Sequence, residues 1–141
     1  MKVSKEYGKK YFNTDPASVS LILSNLIHNA IKFSDPSGVI NIKIELDEML
    51  RIEVEDFGKG MSDETRENIF DRFQRGDSQI DSFNNGHGLG LSVSKNLIEV
   101  LNGSIDIKSQ IGKGSLFIVQ IPEAEGQQKV DDDDEVETFL F

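Results

Sequence analysis

The chain has 141 residues, 37% hydrophobic and 28% charged, with 12 glycines and 3 prolines, which suits one soluble domain long enough to bury its own core. It has no cysteine and only two histidines, His28 and His87. Disulfides, thiolate metal sites, a cysteine nucleophile and a multi-histidine centre are thereby excluded. Of the net charge of −10, residues 123–141 carry −7 and residues 1–122 only −3, and no basic stripe is present that would neutralise nucleic-acid phosphates.

No apolar run approaches the roughly 18 to 20 residues of a membrane span, and Met1-Lys2-Val3-Ser4-Lys5 lacks the apolar core of a signal peptide. A cytoplasmic location is expected. In chain order, Asp15-Pro16 starts a helix that runs to about Phe33, with Val19, Ile22, Leu23, Leu26, Ile27, Ala30 and Phe33 on one apolar arc. Ser34-Asp35-Pro36-Ser37-Gly38 ends it. Ile40, Ile42, Ile44 and Leu46, then Leu50, Ile52 and Val54, alternate with polar residues across Asp47-Glu48, which predicts a β-hairpin with one buried face.

Ser62 caps a short second helix toward Ile69-Phe70. Residues 74–88 read as a long, glycine-bearing loop of the kind that serves as a lid. A third helix from about Leu89 to Leu101 stacks Val93, Leu97 and Leu101 and closes at Asn102-Gly103. Strands at about 104–109 and 115–121 flank a Gly112-Lys113-Gly114 turn. Together these elements predict an α+β sandwich with helices on one face of a sheet. The expected domain is residues 1–122, and residues 123–141 read as an acidic, solvated tail.

Asn25, Asn29 and Lys32 fall at i, i+4 and i+7, a polar stripe expected opposite the apolar arc. Two carboxamides and an ammonium suit a hydrated magnesium ion carrying phosphates, and they equally suit an ordinary solvated helix face. Counting by two from Ile52 and Val54 puts the Asp56 carboxylate on the buried face of its strand, where it must find donors. Gly58 and Gly60 remove side chains that would crowd it. A ligand with an exocyclic amine, such as adenine, would pair with it, and so would the strand's own turn.

Gly86-His87-Gly88-Leu89-Gly90 opens the third helix, so free N–H groups there can face phosphate oxygens. It follows a loop and not a strand, which separates it from a dinucleotide fingerprint, and no GxxxxGK[ST] loop exists. Arg75, in the expected lid, would add a movable charge or simply be a solvated surface arginine.

In this order the segments resemble the ATP-binding catalytic domain of bacterial sensor histidine kinases over residues 11–122. Asn25-Leu26-Ile27-His28-Asn29-Ala30-Ile31-Lys32-Phe33 is similar to that family's N box, and Asp56-Phe57-Gly58-Lys59-Gly60-Met61 to its first glycine box. Ile69-Phe70-Asp71-Arg72-Phe73 resembles its phenylalanine box, Gly86-His87-Gly88-Leu89-Gly90-Leu91 its second glycine box, and Gly112-Lys113-Gly114-Ser115 its last glycine motif. The resemblance implies a Bergerat-type fold, a mixed sheet of about five strands backed by three helices, with ATP and Mg²⁺ as cofactors. By that analogy Asn29 ligates Mg²⁺ with Asn25 beside it, and Lys32 holds phosphate oxygens. Asp56 accepts the adenine amine, Phe33 and Met61 wall the base, Arg75 approaches the terminal phosphate, and Ser115 replaces a frequent threonine.

The family phosphorylates a histidine on a helical-hairpin dimerisation domain, for which the chain has no room before Asp15. His28 and His87 lack the context of a phosphoacceptor. The implied function is a monomeric kinase module that positions Mg·ATP for transfer to a partner's histidine, and through it to a response regulator. ATP-hydrolysing relatives usually carry a Glu where Asn25 stands, and Asn cannot serve as that base. A serine-directed anti-sigma-factor kinase and a nucleotide-sensing pseudokinase module are the alternatives.

Overall fold

The computed structural model describes residues 2–7 (main chain), 11–70 and 90–125. In chain order these form β1 (Lys2–Tyr7), α1 (Pro16–Phe33), β2 (Ile40–Leu46), β3 (Met49–Asp56), α2 (Asp63–Asn68), α3 (Gly90–Val100), β4 (Ser104–Gln110) and β5 (Gly114–Pro122). The strands make one mixed sheet in the order β1-β2-β3-β5-β4, with β1 parallel to β2 and the other pairs antiparallel. α1 packs on β3 and α3, and α3 and α2 reach β4, which gives a two-layer α+β architecture.

Local chemistry explains the boundaries. The Asp15 carboxylate accepts from the Ala17 N–H at 3.1 Å and Pro16 occupies the first helical position, so α1 begins with its free donors partly satisfied. At the end of α3, Gly103 N–H bonds the Ile98 carbonyl at 2.8 Å and Asn102 N–H that of Glu99 at 3.0 Å, a Schellman closure with Asn102 at φ 58°. Here Asn, not Gly, takes the left-handed position. Gly103 is required for another reason: a Cβ on it would lie 2.5 Å from the Gln120 carbonyl oxygen.

The core lies between the sheet and the helices. Ile22, Leu26 and Ala30 of α1 meet Ile52 and Val54 of β3, Phe117, Val119 and Ile121 of β5, and Ile98 of α3, all at most 1% exposed. Each such large side chain contributes on the order of 1.5–3 kcal/mol by leaving water. The other sheet face carries Leu116 and the buried Ile118 among polar residues, with Lys43–Glu45 and Arg51–Glu53 ion pairs, both 2.6 Å, exposed enough to add little stability.

Two expectations change. The buried stripe of α3 is Leu91, Ser94 and Ile98, with Leu97 and Leu101 at its margin, and Val93 is 38% exposed. Nor is the Asn25–Asn29–Lys32 stripe opposite the apolar arc of α1. At about 100° per residue Asn29 lies only about 20° from Ile22, and Asn25 and Asn29 are accordingly half-buried beside the core while Lys32 is exposed.

Candidate functional site

Asp56 ends β3, where it is 2% exposed. It pairs across the sheet with Ile40 on β2 and Ser115 on β5. Its Oδ1 accepts the Gly58 N–H at 3.0 Å. Burial pushes this carboxyl above its ordinary value, partly offset by backbone N–H groups of Gly58 and Ser115, while Glu55 adds to the rise. The turn bond considered from sequence is therefore made, and the carboxylate stays buried with further acceptor capacity.

Gly58 does keep a side chain off the carboxylate, since a Cβ there would lie 3.1 Å from Asp56 Oδ1, but both glycines serve a further purpose. A Cβ on Gly58 would sit 1.9 Å from the Phe33 carbonyl oxygen, and one on Gly60, at φ 68°, 2.0 Å from that of Gln110. They let main chain cross main chain, so that the loop after β3 is wedged between the end of α1 and the β4–β5 turn. Gly112 N–H to the Lys59 carbonyl, 2.7 Å, closes the same junction. Gly114, at φ 113°, likewise admits the Asp56 carbonyl, with a Cβ–oxygen distance of 2.0 Å.

Met61 is buried in the core, and its N–H donates to Ser109 Oγ at 2.8 Å. Ser109 Oγ lies 2.8 Å from Ser115 Oγ and donates to the Gly114 carbonyl at 3.0 Å. Ser109 thus ties the loop after Asp56 to β4 and β5, a part that sequence reading missed because a serine on a strand carries no distinguishing period. Phe33 is half-buried, with Lys32 Nζ 5.4 Å and Lys59 Nζ 5.0 Å from its ring centre. Lys59 had not been singled out either.

On α1, Asn25 Nδ2 donates to the Gly90 carbonyl and to Ser94 Oγ, both at 3.0 Å. Because a carbonyl only accepts, this fixes which end of the carboxamide is nitrogen and leaves Oδ1 as its remaining acceptor. The Asn29 carboxamide, one turn on, has no hydrogen-bond partner among the described residues. Two neutral oxygens on one helix face fit a hydrated Mg²⁺ better than a closed protein cage, and the described residues contain no cluster of three His, Asp or Glu that would form one.

The fold therefore brings together Asn25, Asn29, Lys32 and Phe33 on α1 with Asp56 at the end of β3, Gly58, Gly60 and Met61 after it, Ser115 on β5 and Gly90 at the start of α3. Arg75, Gly86, His87, Gly88 and Leu89 lie outside the described residues, as do the expected lid, residues 71–73 of the phenylalanine box and residues 126–141. The described chain beyond β5 is held: Ala124 N–H bonds the Asn13 carbonyl at 2.8 Å. No helix of the described residues is long and apolar enough to cross a membrane.

Comparison with known proteins gives a consistent result. Residues 14–125 match the family described as histidine kinase-, DNA gyrase B-, and HSP90-like ATPase. The autoinducer 2 sensor kinase/phosphatase LuxQ of Vibrio vulnificus is 38% identical over 122 residues, 82% of this chain and 14% of its own length. The circadian input-output histidine kinase CikA of Synechococcus elongatus is 39% identical over 114 residues, 79% of this chain and 15% of its own. The chain thus spans about a seventh of these relatives.

Among solved structures, the catalytic domain of histidine kinase ThkA superposes with a TM-score of 0.65 at 29% identity, covering 78% of this chain and 69% of that one. Full-length ShkA in complex with AMPPNP gives a TM-score of 0.69 at 24% identity over 90% of this chain and 26% of that one, a likeness of fold. Matched by the family over residues 14–125 and by sensor kinases at 38–39% identity, the chain belongs to the histidine kinase-, DNA gyrase B-, and HSP90-like ATPase family, as an ATPase domain of the sensor-histidine-kinase type.

Proposed function

We propose that this domain binds Mg·ATP and positions it for transfer of the terminal phosphoryl group to a histidine on a separate dimerisation domain, the kinase step of two-component signalling. The observation that carries the reading is Asp56, an ionisable group held 2% exposed at the junction of α1, β3 and β5. A carboxylate kept there against its desolvation cost suits a ligand amine such as that of adenine. Phe33 and Met61 flank the base, Asn29 and Asn25 offer oxygens to Mg²⁺, and Lys32, released from the Phe33 ring, holds phosphate oxygens. Gly90 N–H at the start of α3, and Gly86, His87, Gly88, Leu89 and Arg75 before it, complete the phosphate side.

Bound Mg²⁺ supplies neutralisation of phosphate charge. The chain's own contribution is orientation and exclusion of a competing base, since Asn25 cannot activate water as a Glu would. The acceptor histidine and, beyond it, the response regulator belong to partners, and the site of action is the cytoplasm. Incubation with labelled ATP tests this: acid-labile label should appear on a dimerisation domain supplied in trans and not on this chain alone. Label on this chain alone reveals an internal acceptor. No label on a competent acceptor, with nucleotide bound, favours the nucleotide-sensing module.

A further inference from the structure

Ser94 is fully buried on α3, between the core residues Leu91 and Ile98, where the helix pattern calls for an apolar side chain. Its hydroxyl has one cross-helix contact, to the Asn25 carboxamide. That carboxamide commits its NH₂ group twice, to Ser94 Oγ and to the Gly90 carbonyl, both at 3.0 Å. A single bond would suffice to join two helices. Two acceptors on adjacent turns of α3 also fix the roll of the carboxamide, and with it the direction of Oδ1.

We infer that Ser94 is a positioning residue for the divalent cation: through Asn25 it holds Oδ1 on the α1 face that also carries the Asn29 carboxamide. The inference rests on the proposed Mg·nucleotide site and deepens it. Groups that orient a metal-facing ligand commonly change metal affinity by about 10- to 100-fold when removed. Loss of the Ser94 acceptor frees the carboxamide to turn, while the Asp56 end of the site, on β3, is untouched. The signature is therefore a defect in cation dependence and not in nucleotide binding as such.

The test uses the full chain, Ser94→Ala, and Ser94→Thr, which keeps the hydroxyl. Each is titrated with a non-hydrolysable ATP analogue by calorimetry, in chelator and across a Mg²⁺ series. In Ser94→Ala the Mg²⁺ concentration giving half of the affinity gain should rise about tenfold, with metal-free affinity changed by less than about twofold, the range of independent effects. Ser94→Thr should retain the parent's Mg²⁺ dependence. Equal losses with and without Mg²⁺ would mean that Ser94 only packs α3 on α1 and would overturn the inference, as would an unchanged Mg²⁺ dependence in Ser94→Ala. Absence of any nucleotide binding by the parent would instead bring down the proposed function, and this inference with it.

Discussion

Replacing Gly58 by Ala adds one carbon, and the structure says where it goes: 1.9 Å from the Phe33 carbonyl oxygen, 2.7 Å from its carbonyl carbon and 3.1 Å from Asp56 Oδ1. Ordinary contact needs about 3.5 Å, so the end of α1 and the loop after β3 must part by more than 1 Å or so. The obstacle is main chain at a helix end, not a side chain that can swing aside. Overpacking of this kind costs about 1–3 kcal/mol, and a backbone obstruction belongs at the upper end. For a domain of this size that lowers Tm by about 10 °C. Gly90→Ala is the matched control: among the described residues the three atoms nearest its Cβ would all belong to Asn25, none under 3.5 Å, and Ala is the better helix former. Scanning calorimetry of both variants should show a large loss for Gly58→Ala and none for Gly90→Ala. Equal behaviour of the two, or a loss below about 2 °C for Gly58→Ala, would refute the crossing-chain explanation of the first glycine box.

Three further outcomes are expected. Because burial raises the Asp56 carboxyl in the folded state, its stabilising contribution is fully present below the unfolded value of 3.8 and is lost as pH rises through the higher folded value. Asp56→Asn, which can still accept from Gly58, should thus be more resistant to urea than the parent at pH 7, with the advantage shrinking toward pH 4; a constant difference across that range contradicts the burial argument. Asn102→Val should lower Tm by several degrees, since a β-branched residue at φ 58° is strained by about 1–2 kcal/mol, whereas Asn102→Gly should not; similar melting of the two would exclude strain as the cause. A chain ending at Glu125 should keep the parent's Tm and nucleotide affinity, as measured by calorimetry, and a marked loss of either would give residues 126–141 a part in the domain.

What was legible in the sequence depended on the range of the interaction. Asp15-Pro16, Ser62 and Asn102-Gly103 act within a few residues, so the helix ends were readable. The alternation of Ile52, Val54 and Asp56 placed a carboxylate in the core because strand period alone decides which face it takes. By contrast β1 was not foreseen: Lys2–Tyr7 pairs in parallel with β2, a partner far along the chain, and its mostly polar sequence carries no apolar alternation. Ser94 and Ser109 were overlooked for a related reason, since their hydroxyls matter only through residues brought together by the fold, Asn25 and Ser115. The Asn25–Asn29–Lys32 grouping was right as a face and wrong in its setting. Beside the core, not across from it, Asn25 can be gripped by α3.

The proposed function requires the buried Asp56 carboxylate and the α1 carboxamides to form together an adenine-selective Mg·nucleotide site. Calorimetric titration of the intact chain with Mg²⁺ and non-hydrolysable analogues of ATP and GTP measures this directly. Saturable binding of the ATP analogue, with the 6-oxo base of the GTP analogue strongly rejected and that discrimination lost in Asp56→Ala, is the predicted result; a site built to pair with an amine discriminates by up to about 10⁴-fold. Equal affinity for the two nucleotides, or no binding at millimolar ligand, would contradict it.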